Sequence, residues 1–382
     1  MTSPLWSSWA ETELTAIRHA DRWRSLVPFD AAGPHGVLRG REVIAFSSND
    51  YLGLSQHPQV RQAAQSAIER FGTGATASRL IVGTRSLHME LEETLARCKH
   101  TQSALVFPNG FAANLGVLSV LGREDVTIFS DELNHASIID GCRLARAKAV
   151  VYRHCNLNHL ADLLRAAPGR KIVVTDSVFS MDGDVAPLSE LAKLCANHGA
   201  LLILDEAHAV LGPEPETGSC ELLRVGTLSK TLGSLGGWVA GPRALIELLI
   251  NRARSFIFTT GLSPADTAAA LAALRICDSA EGDTLRARLR ESIEQIAAGH
   301  PSPIVPVVLG EDRAALFAAE QLLSQGIYVP AIRPPTVPPG TARLRIALSA
   351  AHTPAMLQRL NAALHALNPR MPVAAARQDL RS

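Results

Sequence analysis

From Ala104 onward, short bare apolar runs alternate with amphipathic stretches of helical period. The runs Ala104–Phe107, Val126–Phe129, Ala149–Tyr152, Ile172–Thr175, Leu201–Leu204 and Val225–Leu228 are of strand length, and each gives way to Gly, Asn, Asp or Ser. Between them, positions such as Leu188, Leu191 and Cys195 repeat at helical spacing. Strands that stay apolar without alternation are buried on both faces, which predicts a mostly parallel α/β sheet sandwiched by helices. Ligands of such sheets sit beyond the carboxyl ends of the strands, so the polar residues just after each run are the ones to question.

The ends of the chain read differently. Leu14 to Leu26 reads as a helical stretch carrying Arg18, Arg22 and Arg24, followed by turn-rich Ala31-Ala32-Gly33-Pro34. Beyond residue 250, Ala265–Leu274 and Thr284–Ile296 read as helices, and Ile304–Leu309, Ile327–Val329 and Leu344–Ala347 as strands. The expected organisation is an N-terminal arm (1–45), a large α/β domain (46–250), a smaller α+β domain (251–370) and a frayed tail (371–382).

Composition narrows the function. The 382 residues are 47% hydrophobic and 19% charged, enough to bury a large core. Lys+Arg 37 against Asp+Glu 36 leaves a net charge of +1, which gives no electrostatic case for nucleic acid or an anionic membrane. No apolar run reaches the roughly 20 residues of a bilayer span, and the start, MTSPLWSSWAETEL, lacks the pattern of a signal peptide. The six cysteines are scattered, which fits reduced thiols better than a zinc site or disulfides. A cytoplasmic enzyme without a metal is expected. Gly72-Thr73-Gly74-Ala75-Thr76-Ala77 matches a dinucleotide fingerprint in letters only, because it follows a helical pattern instead of a strand. A turn with close backbone approach is the better reading.

The chemistry gathers at three strand ends. Leu201–Leu204 runs into Asp205-Glu206-Ala207-His208, which places a carboxylate at the edge of a central strand, where a charge is costly without a partner. Val225–Leu228 leads into Ser229-Lys230, a lysine beside small residues and suited to forming an imine. Asn109-Gly110-Phe111 follows another strand and opens a helix whose free N–H groups can hold a phosphate. Singly, the aspartate reads equally well as a turn or cap residue, the lysine as a solvated charge and Gly-Phe as a turn. Together, each at a strand end, they meet the needs of pyridoxal phosphate: an amine, a carboxylate for the ring nitrogen and a phosphate anchor.

The chain resembles the α-oxoamine synthases, fold-type I pyridoxal-phosphate enzymes that condense an amino acid with an acyl thioester. The likeness is carried by Ser48–Gly53, Gly72–Arg79, Asn109–Asn114, Asp131 with His135-Ala136-Ser137, Thr175–Asp184, the Asp205–His208 stretch and Thr227–Lys230. It implies that Lys230 carries the cofactor and later acts as base at Cα. Asp205 would pair with the pyridine nitrogen, and His208, with Ser180 nearby, would contact the phenolic oxygen. His135 would stack on the ring, although by itself it reads as a capping or core histidine. Gly110, Phe111 and Thr227 would hold the phosphate, joined by Thr260 of a neighbouring subunit in a homodimer with shared sites. Arg345 would clamp the amino-acid carboxylate beside Asn49, with Arg343 a solvated strand-edge charge. Arg24 (with Arg22 competing), Arg333 and Thr336 would line the acyl entrance.

Within the family, Ala331-Ile332-Arg333-Pro334-Pro335-Thr336-Val337-Pro338 resembles the branch that joins L-alanine to a pimeloyl thioester, carried by coenzyme A or by acyl-carrier protein. A member using glycine and acetyl-CoA, an aminotransferase and a non-catalytic binding module are the alternatives. One departure stands out: Leu211–Ser219 replaces a longer segment with Gly-Arg-Gly, a change expected to spare the cofactor site and alter the entrance.

Overall fold

The computed structural model describes residues 5–20, 22–212, 214 and 216–367. Pro213, Pro215 and the expected tail 371–382 lie outside the described residues.

All six apolar runs become strands of one seven-stranded sheet. Its spatial order is Ser103–Phe107, Gly237–Gly241, Leu222–Thr227, Ala200–Asp205, Arg170–Asp176, Val126–Asp131, Lys148–Tyr152. Gly237–Gly241, which the sequence pattern does not reveal, runs antiparallel to both neighbours, and the remaining pairs are parallel. Strand periodicity splits the side chains between two cores. Ile203, Val225 and Ile172 pack under the helix Gly110–Leu121 on one face. Leu202, Leu204 and Val173 pack with Leu160 and Leu191 on the other. This is the sandwiched α/β fold the runs predict.

The register fixes the site. Asp176 lies beside Asp205, and Asp205 beside Val225, so the carboxyl ends of adjacent strands form one polar rim.

At the amino end the helix spans Leu5–His19, not Leu14–Leu26. Trp6, Trp9, Leu14 and Ile17 extend its apolar spacing backward, and Arg18 and His19 sit in the last turn, where cations suit the helix dipole. Arg22 and Arg24 therefore lie past its end, in a segment without regular structure, with Arg18 stacked over Trp23 at 4.2 Å. The strands Phe29–Ala32, His35–Leu38 and Arg41–Ala45 follow, with the expected turn at Gly33-Pro34, and Arg41–Ala45 pairs in parallel with Ile327–Tyr328. A third sheet joins Ile304–Gly310, Ala342–Ala347 and Ala331–Ile332. The backbone Ala347 N–H donates to the Phe46 carbonyl, so this sheet is stitched to the stretch that leads into the site residues Asn49 and Tyr51. Among the described residues no helix is long and apolar enough to cross a membrane.

Candidate active site

Asp205 ends its strand almost fully buried, with both oxygens occupied. Asn114 Nδ2 donates to Oδ2 at 2.7 Å, and the Ala207 N–H donates to Oδ1 at 2.9 Å. Asn114 comes from the helix that Gly110 opens, and its amide also donates to Ser137 Oγ at 2.9 Å. Ser137 Oγ in turn lies 2.8 Å from His135 Nδ1. A single polar chain thus runs from the carboxylate to the imidazole.

His135 takes the capping role considered for it. Its Nδ1 accepts from the Ser137 N–H and caps the helix Ala136–Leu144, while its ring is left exposed. Its backbone N–H donates to Asp176 Oδ2 at 2.7 Å. Burial of the surroundings and the Lys230 charge lower its pKa against an opposing pull from Asp205, so a neutral ring faces the site.

Lys230 follows the adjacent strand. Burial lowers its pKa, partly offset by Asp205 and Asp176, which favours an unprotonated, nucleophilic amine. The same rim holds Asp176 well above the usual carboxylate range, through burial and then the Asp205 charge. His208 is pushed well below its ordinary value by burial and then by Lys230 and Arg345. Its Nδ1 lies 2.6 Å from the hydroxyl of the fully buried Tyr51, whose pKa burial pushes up to about 12. Tyr51 OH also lies 3.1 Å from Asn49 Oδ1.

The phosphate cradle is equally local. Asn109 caps its helix by accepting from the Ala112 N–H, and the Ala113 N–H donates to the Asn109 carbonyl, which leaves the Gly110 and Phe111 N–H groups outside the helix ladder. A Cβ on Gly110 would stand 3.4 Å from Thr227 Cβ, an ordinary contact, so the helix start lies beside Thr227. Thr227 Oγ1 donates to the Gly236 carbonyl at 2.8 Å and lies 2.7 Å from Ser229 Oγ. Thr260 stands apart on the exposed surface, bridged to Ser78.

Arg345 is buried, with Nε donating to the Ser180 carbonyl and Nη2 to Asn49 Oδ1 at 3.1 Å. Arg343 corrects the expectation of a solvated charge. It is 3% exposed and ion-paired with Asp182, because alternate residues of this strand share a face and both turn toward the loop after Phe179. Arg24, Arg333 and Thr336 come together, with Arg22, around a cavity of about 120 Å³. Glu206, the neighbour of Asp205, serves structure: burial favours its neutral form, yet Lys99 and Arg224 overcome this and hold its pKa low. Arg224 also pairs with Glu214.

The donor set fits pyridoxal phosphate. An amine of lowered pKa, a doubly held strand-end carboxylate, an exposed neutral imidazole and a helix start with free N–H groups share one rim. Sequence reasoning assigned no role to Asn114, Tyr51 or Asp176. Asp176 was within reach, since it follows an apolar run as Asp205 does.

Known proteins agree with this geometry. The family model described as aminotransferase class I and II matches residues 41–364. An 8-amino-7-oxononanoate synthase of Anaeromyxobacter dehalogenans (strain 2CP-1 / ATCC BAA-258) is 49% identical, over 97% of this chain and 98% of the relative. One from Geobacter sulfurreducens is 49% identical, over 92% and 96%. Among solved structures, a serine palmitoyltransferase of Sphingomonas wittichii superimposes with a TM-score of 0.89 at 31% identity, covering 96% of this chain and 98% of that one. An 8-amino-7-oxononanoate synthase of Francisella tularensis gives 0.71 at 30% identity, covering 85% and 96%.

Proposed function

This chain belongs to the class I and II aminotransferase family and, within it, to the 8-amino-7-oxononanoate synthases, and from that membership and the site we propose that it condenses L-alanine with a pimeloyl thioester, releasing CO2. Its cofactor is pyridoxal phosphate. The observation that carries the reading is the convergence of Lys230, Asp205 and His135 on one rim of strand ends, with Asp176 between the Asp205 and His135 strands.

When bound, the cofactor supplies an aldehyde that condenses with amines and a protonated ring that accepts electrons from the substrate Cα. The chain supplies the rest. Lys230 would hold the aldehyde, and its amine is the group placed to take the Cα proton of alanine. Asp205, held by Asn114 and Ala207, keeps a proton on the ring nitrogen. His135 would lie against the ring face and orient it. His208, with Ser180 nearby, addresses the phenolic oxygen. Gly110, Phe111 and Thr227 would hold the phosphate, and Thr260 would reach the phosphate of a partner copy in a homodimer. Arg345 and Asn49 take the alanine carboxylate, to which a guanidinium fork is matched. Arg24, Arg333 and Thr336 present two cations to the acyl chain's distal carboxylate or its carrier. Synthesis in the cytoplasm completes the reading.

The backbone likeness to serine palmitoyltransferase sets the rival substrate pair, serine with palmitoyl-CoA. Turnover by cofactor-loaded protein, with each amino acid paired with each thioester and the product weighed, decides. Alanine with pimeloyl-CoA or pimeloyl-acyl-carrier protein is expected to give 8-amino-7-oxononanoate. Product only from serine with palmitoyl-CoA, or from glycine with acetyl-CoA, would overturn the reading.

A further inference from the structure

The loop Ser180–Asp184 carries few reacting groups, yet it is gripped from two sides. From the third sheet, Arg343 pairs with Asp182 while Arg345 donates to the Ser180 carbonyl. From the central sheet, His154 Nε2 lies 2.6 Å from Asp184 Oδ2 and its Nδ1 lies 2.9 Å from Asp131 Oδ1. The loop is folded tightly between these grips. The Gly183 N–H donates to the Phe179 carbonyl at 2.8 Å, the Phe179 N–H donates to the Asp184 carbonyl at 3.0 Å, and the Phe179 ring meets His154 edge-on at 4.4 Å.

Asp131, His154 and Cys155 have the side-chain types of a metal site. Both imidazole nitrogens, however, are engaged by carboxylates. Burial alone would lower the pKa of His154, but the hydrogen bonds to Asp131 and Asp184 overturn this and push it up to about 12. His154 is thus a cation held between two carboxylates, a buckle in which both ring nitrogens are already taken.

The two arginines differ in a way that matters for a ligand. Both are buried, and a buried cation without a counter-charge is expensive. Arg343 is neutralised by Asp182. The partners of Arg345 are neutral, the Ser180 carbonyl, Asn49 Oδ1 and the Tyr51 hydroxyl, and no carboxylate ion pair involves it among the described residues. An incoming carboxylate therefore meets one quenched guanidinium and one unquenched one.

We propose that the Arg343–Asp182 pair and the Asp131–His154–Asp184 buckle are positioning devices that lock the Ser180–Asp184 loop, so that Arg345 alone is oriented toward the carboxylate of the amino-acid substrate. The proposal rests on the reading that Arg345 binds that carboxylate. Asp182 has a double part: it fixes the loop, and it keeps Arg343 from competing for the ligand.

The test compares L-alanine with ethylamine, which has the amine but no carboxylate. Both are titrated into cofactor-loaded protein by the absorbance change of the cofactor. In the double variant Asp182→Asn/Arg343→Met, which leaves no lone buried charge, the preference for alanine should fall about tenfold while ethylamine affinity stays within about twofold. His154→Gln should lose about threefold of the same preference, and the KM for alanine should rise with kcat little changed. General loosening of the fold would weaken both ligands alike. Arg345→Lys is the control for the underlying reading. If it loses the preference while the other variants keep it, the positioning idea is overturned and the carboxylate role of Arg345 stands. If Arg345→Lys keeps the preference, both fall. Should the double variant not fold, His154→Gln decides alone, an unchanged preference refuting the proposal.

Discussion

Asp205 shows how much a single side chain is asked to do. Its two oxygens are already held, so it can address a ring nitrogen only if Asn114 and Ala207 aim it there. Asp205→Asn removes the charge and nearly preserves the shape. The protein should still fold, because the buried Asn114 Oδ1 lacks a partner and a flipped Asn114 amide can receive the new donor. Turnover should fall by about 10²–10³-fold, the range for deleting one preorganised electrostatic partner. Steady-state kinetics with alanine and a pimeloyl thioester measures it, and a loss below tenfold would refute the assigned role. At this scale the chain was legible where a residue follows an apolar run, as Asp205 and Lys230 do. It was illegible where a role depends on distant contacts. Arg343 finds Asp182 across 161 positions and Asn114 finds Asp205 across 91, so neither burial nor pairing is visible in their neighbours along the chain.

At the scale of elements, strands deliver the site and glycines let the parts approach. Runs buried on both faces announced their strands, whereas Gly237–Gly241, rich in glycine and short of β-branched residues, did not. The loop after Phe179 depends on Gly183, which has φ +71° and whose missing Cβ would run into the Ile304 carbonyl oxygen. Gly183→Ala should therefore cost about 2–3 kcal/mol, as overpacking does. It should also raise the KM for alanine, since the same loop seats Arg345. Urea unfolding and alanine titration of the variant check both effects together. Stability unchanged within 0.5 kcal/mol, the usual bound for a neutral surface substitution (about ±0.5), would contradict the packing argument.

For the whole molecule, buried imidazoles set opposite limits on stability. His88 and His352 are held neutral with pKa lowered to about 4, by burial foremost, and His208 lies well below its ordinary value. Below the unfolded value of 6.5 the unfolded chain takes protons that the native state refuses, so stability falls as pH drops. His88 and His352 each cost on the order of 2–3 kcal/mol by pH 4. His154 acts in the other direction. Its native pKa is raised to about 12, so its contribution is complete below 6.5 and declines as pH rises above it. Urea midpoints should peak between these limbs, near neutral pH, and His154→Gln should flatten the alkaline limb only. A midpoint that rises steadily from pH 5 to 9 would contradict this. The same scale explains what the sequence left out. The strand Arg41–Ala45 pairs with Ile327–Tyr328 from the far end of the chain, a contact that no local pattern encodes.

The account turns on Lys230 as the amine that carries the cofactor. Reducing the loaded protein with borohydride, digesting it and weighing the peptides tests this directly. The predicted result is one pyridoxyl adduct, on Lys230, absent from Lys230→Ala; an adduct on another lysine, or one that persists in Lys230→Ala, would contradict it.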